Sequence, residues 1–196
     1  MSSKKKFGLL LAPGAGADST APGLLAVEQA MPEDFPIRRI DFPYRLAGRK
    51  SPDPQAVLLK TVQSEHLAFC NETALAPDQV FVGGRSMGGR MCSIAVAEGM
   101  ETAGCVLISY PLHPPGRPDK LRTDHFPAIS VPCLFVSGTR DTFGTPEEFL
   151  AHTHKITADV EHQWLDGADH GLRRHNDQAA ALVVDWLGRQ TTELRS

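Results

Sequence analysis

Val80-Phe81-Val82-Gly83-Gly84-Arg85-Ser86-Met87-Gly88-Gly89-Arg90 is the stretch whose reading decides the fold. A short apolar run ends at two glycines, and a helix-forming run from Met91 to Glu98 follows. Gly84-Arg85-Ser86-Met87-Gly88 matches G-x-S-x-G between a strand and a helix. A turn of this kind strains the serine and projects its hydroxyl from the C-terminal edge of the sheet. Side chains two positions either side of the serine would meet neighbouring backbone, which suits Gly84 and Gly88. The competing reading is a tight strand-to-helix turn with a capping serine, since serine is a favoured N-cap.

Outward from this turn, apolar strands alternate with amphipathic helices. Phe7 to Ala12 reads as the first strand, and Pro13-Gly14-Ala15-Gly16-Ala17-Asp18 as the loop leaving it. A helix is expected over 20–31, a strand over Ile37 to Phe42, and a long loop from Pro43 to Pro54. Next come a helix from Gln55 to about Leu75, a strand from Gln79 to Gly83, a helix from Met87 to Gly99 and a strand from Gly104 to Ser109. Residues 113–130, rich in proline, form a loop too short for a separate lid domain. Val131 to Ser137 is the fifth strand and Val160 to Leu165 the sixth. Between them Thr145-Pro146-Glu147-Glu148 opens a helix, with a threonine cap, proline at the first helical position and glutamate three after the threonine. The last helix, Asp177 to Gly188, places Ala179, Leu182, Val183, Trp186 and Leu187 on one face.

This alternation predicts an α/β fold: a doubly wound, mostly parallel six-stranded sheet in the order 2-1-3-4-5-6, with helices on both faces and no lid domain. The 196 residues read as one domain with a basic tip at residues 1–6. The net charge of −3 gives no polyanion signal, so neither nucleic acid nor an anionic membrane is an expected partner. The apolar run after the basic tip ends at Pro13, too early for a signal peptide, and no stretch approaches a membrane span. Cys70, Cys92, Cys105 and Cys133 show no metal spacing and read as buried thiols, which suits a reducing compartment and a cytoplasmic protein. The sequon Asn71-Glu72-Thr73 would then stay unused. No metal or cofactor is expected.

A serine hydroxyl is a weak nucleophile and needs a histidine base, usually oriented by an acid. Enzymes built on this turn take those partners in the chain order serine, acid, histidine. Of the eight histidines, His66, His152 and His154 fall in helical patterns and His162 in a strand. His113 and His125 flank the 113–130 loop, and His175 precedes the last helix as a surface residue. His170, in Asp166-Gly167-Ala168-Asp169-His170-Gly171, leaves the C-terminal end of the sixth strand, on the edge where Ser86 projects. The same test selects Asp141, in Thr139-Arg140-Asp141-Thr142-Phe143-Gly144 after the fifth strand, over Asp124, Asp166 and Asp169. A turn or capping role is the competing reading of Asp141. An oxyanion would take backbone N–H groups from Met87, at a helix start, and from the Pro13-Gly14-Ala15-Gly16 loop.

Taken together, Leu11-Ala12-Pro13-Gly14-Ala15-Gly16, Asp41-Phe42-Pro43-Tyr44, Gly83 to Arg90, Ser109 to Gly116, Ser137-Gly138-Thr139-Arg140-Asp141 and Asp169-His170-Gly171 resemble the α/β-hydrolase superfamily. The nearest resemblance is to its small, lidless dienelactone-hydrolase-related branch, including the KANL/Tex-like hydrolase-fold proteins. That resemblance implies Ser86 as nucleophile, His170 as base and Asp141 as its orienter, with the loop around Gly14 and Ala15 beside the oxyanion. Two departures stand out. Dienelactone hydrolase carries a cysteine nucleophile where this chain has serine, and two N-terminal strands of the full superfamily sheet are absent.

The expected function is a serine hydrolase cleaving a small ester or thioester through an acyl-enzyme, of carboxylesterase or thioesterase type. The alternative is a non-catalytic hydrolase-fold binding or scaffold protein, with Tyr44, Arg45 and the 113–130 loop as partner contacts. A third reading, a dinucleotide-binding domain, uses Gly14-Ala15-Gly16 and Asp41, but Ser19 stands where the third glycine belongs. Arg85, Arg90 and Arg140 lie near the site; attraction of an anionic substrate is one reading of them, and pairing with carboxylates or facing solvent is the stronger expectation.

Overall fold

The computed structural model describes residues 5–194. Residues 1–4 of the expected basic tip lie outside the described residues. The strands are β1 (Gly8–Ala12), β2 (Ile37–Arg39), β3 (Val80–Arg85), β4 (Gly104–Ile108), β5 (Cys133–Gly138) and β6 (Val160–Leu165). The helices are α1 (Pro22–Ala30), α2 (Pro43–Leu46), α3 (Gln55–Thr73), α4 (Met87–Ala97), α5 (Pro146–Thr153) and α6 (Asn176–Glu193). All strand pairs are parallel, and the order is β2-β1-β3-β4-β5-β6. Both the six strands and their order match the expectation.

The apolar runs are continuous because both faces of the sheet are covered. Alternate side chains of one strand enter opposite cores. Leu9 and Leu11 pack with Leu24 and Val27 of α1 and with Val183 and Trp186 of α6. Leu10 packs on the other face with Leu58 and Val62 of α3 and with Met91 of α4. Trp186 meets Phe81 of the central strand edge-on, with ring centroids 5.7 Å apart. Each face therefore clamps β1 and β3, the two strands whose outgoing loops flank Ser86.

Of the boundaries that differ from the expectation, three have a clear local reason. β2 spans only Ile37–Arg39, since the chain turns away before Pro43, which lacks an N–H for a ladder and instead opens α2. The expected loop from Pro43 thus begins as a short helix. β3 runs on through Gly84 and Arg85, because Ala12 still pairs with Gly84 and Ile108 with Arg85. α6 continues past Gly188 to Glu193, with Thr191 buried beneath its last turn. At α5 the Thr145 hydroxyl accepts from the Glu148 N–H, and the Glu148 carboxylate accepts from the Thr145 N–H, the reciprocal cap read from the sequence.

Candidate active site

The switch point of the sheet lies between β1 and β3, where the chain order reverses. There the turn after β3 holds Ser86 at φ 49° and ψ −116°. A positive φ strains a residue with a side chain, by about 1–3 kcal/mol. Close approach to β1 imposes this geometry. A Cβ on Gly84 would lie 2.0 Å from the Ala12 carbonyl oxygen, and one on Gly88 would lie 2.2 Å from the same atom. The competing capping role fails, because the Ser86 side chain makes no cap hydrogen bond to α4. Its hydroxyl faces His170 instead.

Ser86 Oγ lies 2.9 Å from His170 Nε2. His170 Nδ1 lies 2.8 Å from Asp141 Oδ2 and 3.0 Å from Oδ1. An ionised carboxylate only accepts, so the ring proton belongs on Nδ1, and Nε2 is left to accept from the serine hydroxyl. The Asp141 side chain is fully buried while that of His170 keeps 21 % exposure. The acid is thus sealed from water and the ring edge is open to a ligand. Asp141 Oδ1 also accepts the Phe143 N–H at 2.8 Å, which shapes the turn after β5. It does not cap α5, whose cap is Thr145.

The loop after β1 lies against this group. A Cβ on Gly14 would come 3.6 Å from Ser86 Cβ. The Gly16 N–H is taken by the Tyr44 hydroxyl at 3.2 Å. The N–H groups of Gly14 and Ala15 donate to nothing among the described residues. Met87 is the first residue of α4, where no carbonyl a turn earlier can receive its N–H. Gly14, Ala15, Met87 and Ser86 share the wall of one cavity of about 520 Å³.

Several neighbours carry no strong sequence signal. The Phe143 ring stacks on the His170 ring with centroids 4.0 Å apart. Arg85 Nη2 donates to the His170 carbonyl oxygen at 2.7 Å and to that of Gly171. This corrects the expectation that Arg85 pairs with a carboxylate or faces solvent. Arg122, from the proline-rich 113–130 segment, lines the cavity together with Arg90. A loop with no periodicity gives no clue that one of its cations turns inward.

None of the other histidines lines this cavity. His113 Nε2 lies 3.3 Å from Glu148, and His125 Nε2 lies 2.9 Å from Ser93 Oγ. His162 stacks on Trp164 and reaches Thr153 Oγ1 at 2.9 Å, and His66 is buried near Cys70. His175 is half-buried before α6, less exposed than expected. Asp41 accepts from the Ser19 N–H and hydroxyl, each at 2.7 Å, so its carboxylate is engaged in bracing the loop that follows β1. All four cysteines are free and buried. Among the described residues no group of three or more His, Cys, Asp or Glu stands where it could hold a metal ion.

A doubly wound parallel sheet with a strained serine at its switch point, backed by a histidine and a buried aspartate, defines the class as an α/β hydrolase fold. Residues 5–186 match the family model described as an alpha/beta hydrolase domain, and the chain belongs to that family. Its fold is similar to that of an alpha-beta serine hydrolase homologue from Coxiella burnetii: TM-score 0.76, 16 % identity, 95 % of this chain and 88 % of that one covered. It is also similar to Est1E from Butyrivibrio proteoclasticus, at TM-score 0.73 and 14 % identity over 97 % of this chain and 90 % of the other. A thermophilic esterase from Thermogutta terrifontis gives TM-score 0.71 and 18 % identity over 96 % and 92 %.

Proposed function

We propose that this hydrolase-family protein is a serine hydrolase that cleaves a small ester or thioester through an acyl-enzyme. The observation that carries this reading is the continuous hydrogen-bonded line from Ser86 Oγ through His170 to the buried Asp141, open at its serine end to the cavity. Ser86 Oγ attacks the substrate carbonyl carbon, and its proton passes to His170 Nε2. The carbonyl oxygen becomes an oxyanion, which takes hydrogen bonds from the N–H of Met87 and from the Gly14-Ala15 loop, with the start of α4 adding a favourable dipole. The C–O or C–S bond of the leaving group then breaks, and the leaving group takes the proton from His170. Water enters, gives its proton to His170 Nε2 and attacks the acyl carbon. Collapse releases the acid and returns the proton to Ser86. Asp141 stays ionised throughout, holding the tautomer and stabilising the transient imidazolium.

The esterase named among the structural neighbours supports an ester substrate, and the short 113–130 segment, with no lid domain, supports a small one. The four buried free cysteines support a reducing, cytoplasmic setting. Among the described residues no helix is long and apolar enough to cross a membrane.

A fluorophosphonate probe tests the reading. Wild type is expected to label, Ser86→Ala is expected not to, and a graded panel of p-nitrophenyl esters should turn over with a preference for short acyl chains. Absence of labelling and of turnover across that panel would instead support a non-catalytic scaffold.

A further inference from the structure

Among the described residues six arginines are half-buried, and three of them have a carboxylate partner. Arg38 pairs with Glu65 and Glu72, Arg39 with Glu28, and Arg45 with Asp18. Arg140, Arg173 and Arg174 are exposed and have water. The other three half-buried arginines, Arg85, Arg90 and Arg122, have no carboxylate partner among the described residues, and all three line the cavity that holds Ser86.

Arg90 lies in the first turn of α4, four residues after Ser86, and both line the cavity. Its side chain reaches only neutral partners, a long 3.4 Å bond to the Gln55 amide oxygen and the Tyr110 side chain, and its Nε is buried with no partner. The Arg122 guanidinium has neither an ion pair nor a hydrogen bond among the described residues. Its backbone is nevertheless fixed. The Arg122 N–H donates to the Leu112 carbonyl at 2.8 Å, and its carbonyl accepts from the fully buried Tyr110 at 2.6 Å. Burial lowers the pKa of the Arg122 guanidinium, and the charge of Arg90 lowers it further. No Asp or Glu lines this cavity.

Two uncompensated guanidinium groups facing one cavity are costly when it is empty of anions, since each has given up water without gaining a counter-charge. A carboxylate answers both deficits, because its two oxygens match the planar donor fork of arginine. The third arginine of the wall, Arg85, is already committed to the carbonyls of His170 and Gly171.

We propose that Arg90 and Arg122 form an anion subsite, and that the substrate is an ester or thioester bearing a free carboxylate, held there while its carbonyl reaches Ser86. This deepens the hydrolase reading and rests on it for the word substrate. The subsite itself requires only the cavity.

The test separates the two. Calorimetry on the Ser86→Ala protein compares monoethyl glutarate with diethyl glutarate, which differ in one charge. The monoester should bind about tenfold or more tightly, and added salt should shrink the gap. Arg122→Met and Arg90→Met, placed in the Ser86→Ala background, should each remove most of that preference. Arg122→Met breaks no side-chain bond, so it keeps the test independent of folding. Equal binding of the two esters, or an unchanged preference in both Met variants, would overturn the subsite. Fluorophosphonate labelling of wild type is read separately: charge-selective binding without labelling retains the subsite and sinks the hydrolase reading, while labelling without charge selectivity does the reverse.

Discussion

Arg85 Nη2 donates to the main-chain carbonyl of His170 at 2.7 Å, so the residue next to Ser86 holds the loop that presents its histidine. The guanidinium is desolvated, which lowers its pKa, while the nearby charges of Asp141 and Asp169 raise it. The contact links the β3 and β6 ends of the sheet edge directly, without passing through the side chain of His170.

On the proposed hydrolase mechanism this contact makes Arg85 a positioning residue. Arg85→Ala should lower kcat by roughly 10–100-fold through misplacement of the base, with KM for a neutral p-nitrophenyl ester little changed. Arg85→Lys should recover part of the loss. Steady-state kinetics with circular dichroism as a folding control checks this, and a change confined to KM would count against the role.

Asp141→Asn should keep the turn after β5, since an amide oxygen still accepts the Phe143 N–H. It should nevertheless lower kcat by about 10³–10⁴-fold, because the amide stabilises the wrong histidine tautomer and no imidazolium. A pH–rate profile is the measurement. A loss below tenfold would place the orienting role elsewhere.

Gly88→Ala should destabilise the fold by about 1–3 kcal/mol, lowering the melting temperature by roughly 2–12 °C. The added methyl would sit 2.2 Å from the Ala12 oxygen, and 2.5 Å from both the Ala12 carbonyl carbon and the Pro13 oxygen, all backbone atoms that cannot swing aside. Gly99→Ala offers a contrast: its Cβ meets nothing within 4 Å, so only its positive φ of 99° resists the change. Thermal denaturation of both variants separates backbone collision from conformational strain.

His125 should make the fold acid-sensitive. Burial, with the neighbouring charge of Arg90, lowers its pKa from 6.5 to about 4. The unfolded chain then binds the proton more readily than the folded one. Stability is full above about pH 6.5, falls as pH drops from there towards 4, and levels off below. Urea denaturation at pH 7 and at pH 4.5 should show a smaller acid loss for His125→Gln than for wild type. An identical loss would remove His125 from the account.

Much of the architecture was legible because its causes are local. Continuous apolar runs mark strands covered on two faces, and the Thr145-Pro146-Glu147-Glu148 cap starts α5 where the reading placed it. The end of β2 was misjudged because Ile40 and Phe42 are buried residues that continue the apolar pattern after ladder pairing has stopped. In the site, loop position at one sheet edge singled out Ser86, Asp141 and His170. Phe143 and Arg122 carry no such signal, and Tyr44 reads only as a partner contact of the scaffold alternative, since each acts through a partner distant in the chain or through a ring contact without periodicity.

By itself the sequence determined the parallel sheet, its order and the edge from which Ser86, Asp141 and His170 leave, because periodicity and chain order are carried by neighbouring residues. Tertiary structure alone decided that Ser86 faces His170 rather than capping α4, that Arg85 braces the histidine loop, and that Arg90 and Arg122 reach the same cavity without a counter-ion. Those outcomes depend on distances between segments that only packing sets: the Ala12 carbonyl against Gly84 and Gly88 fixes the turn, and the Tyr110 hydroxyl bonded to the Arg122 carbonyl anchors the proline-rich segment at the cavity wall.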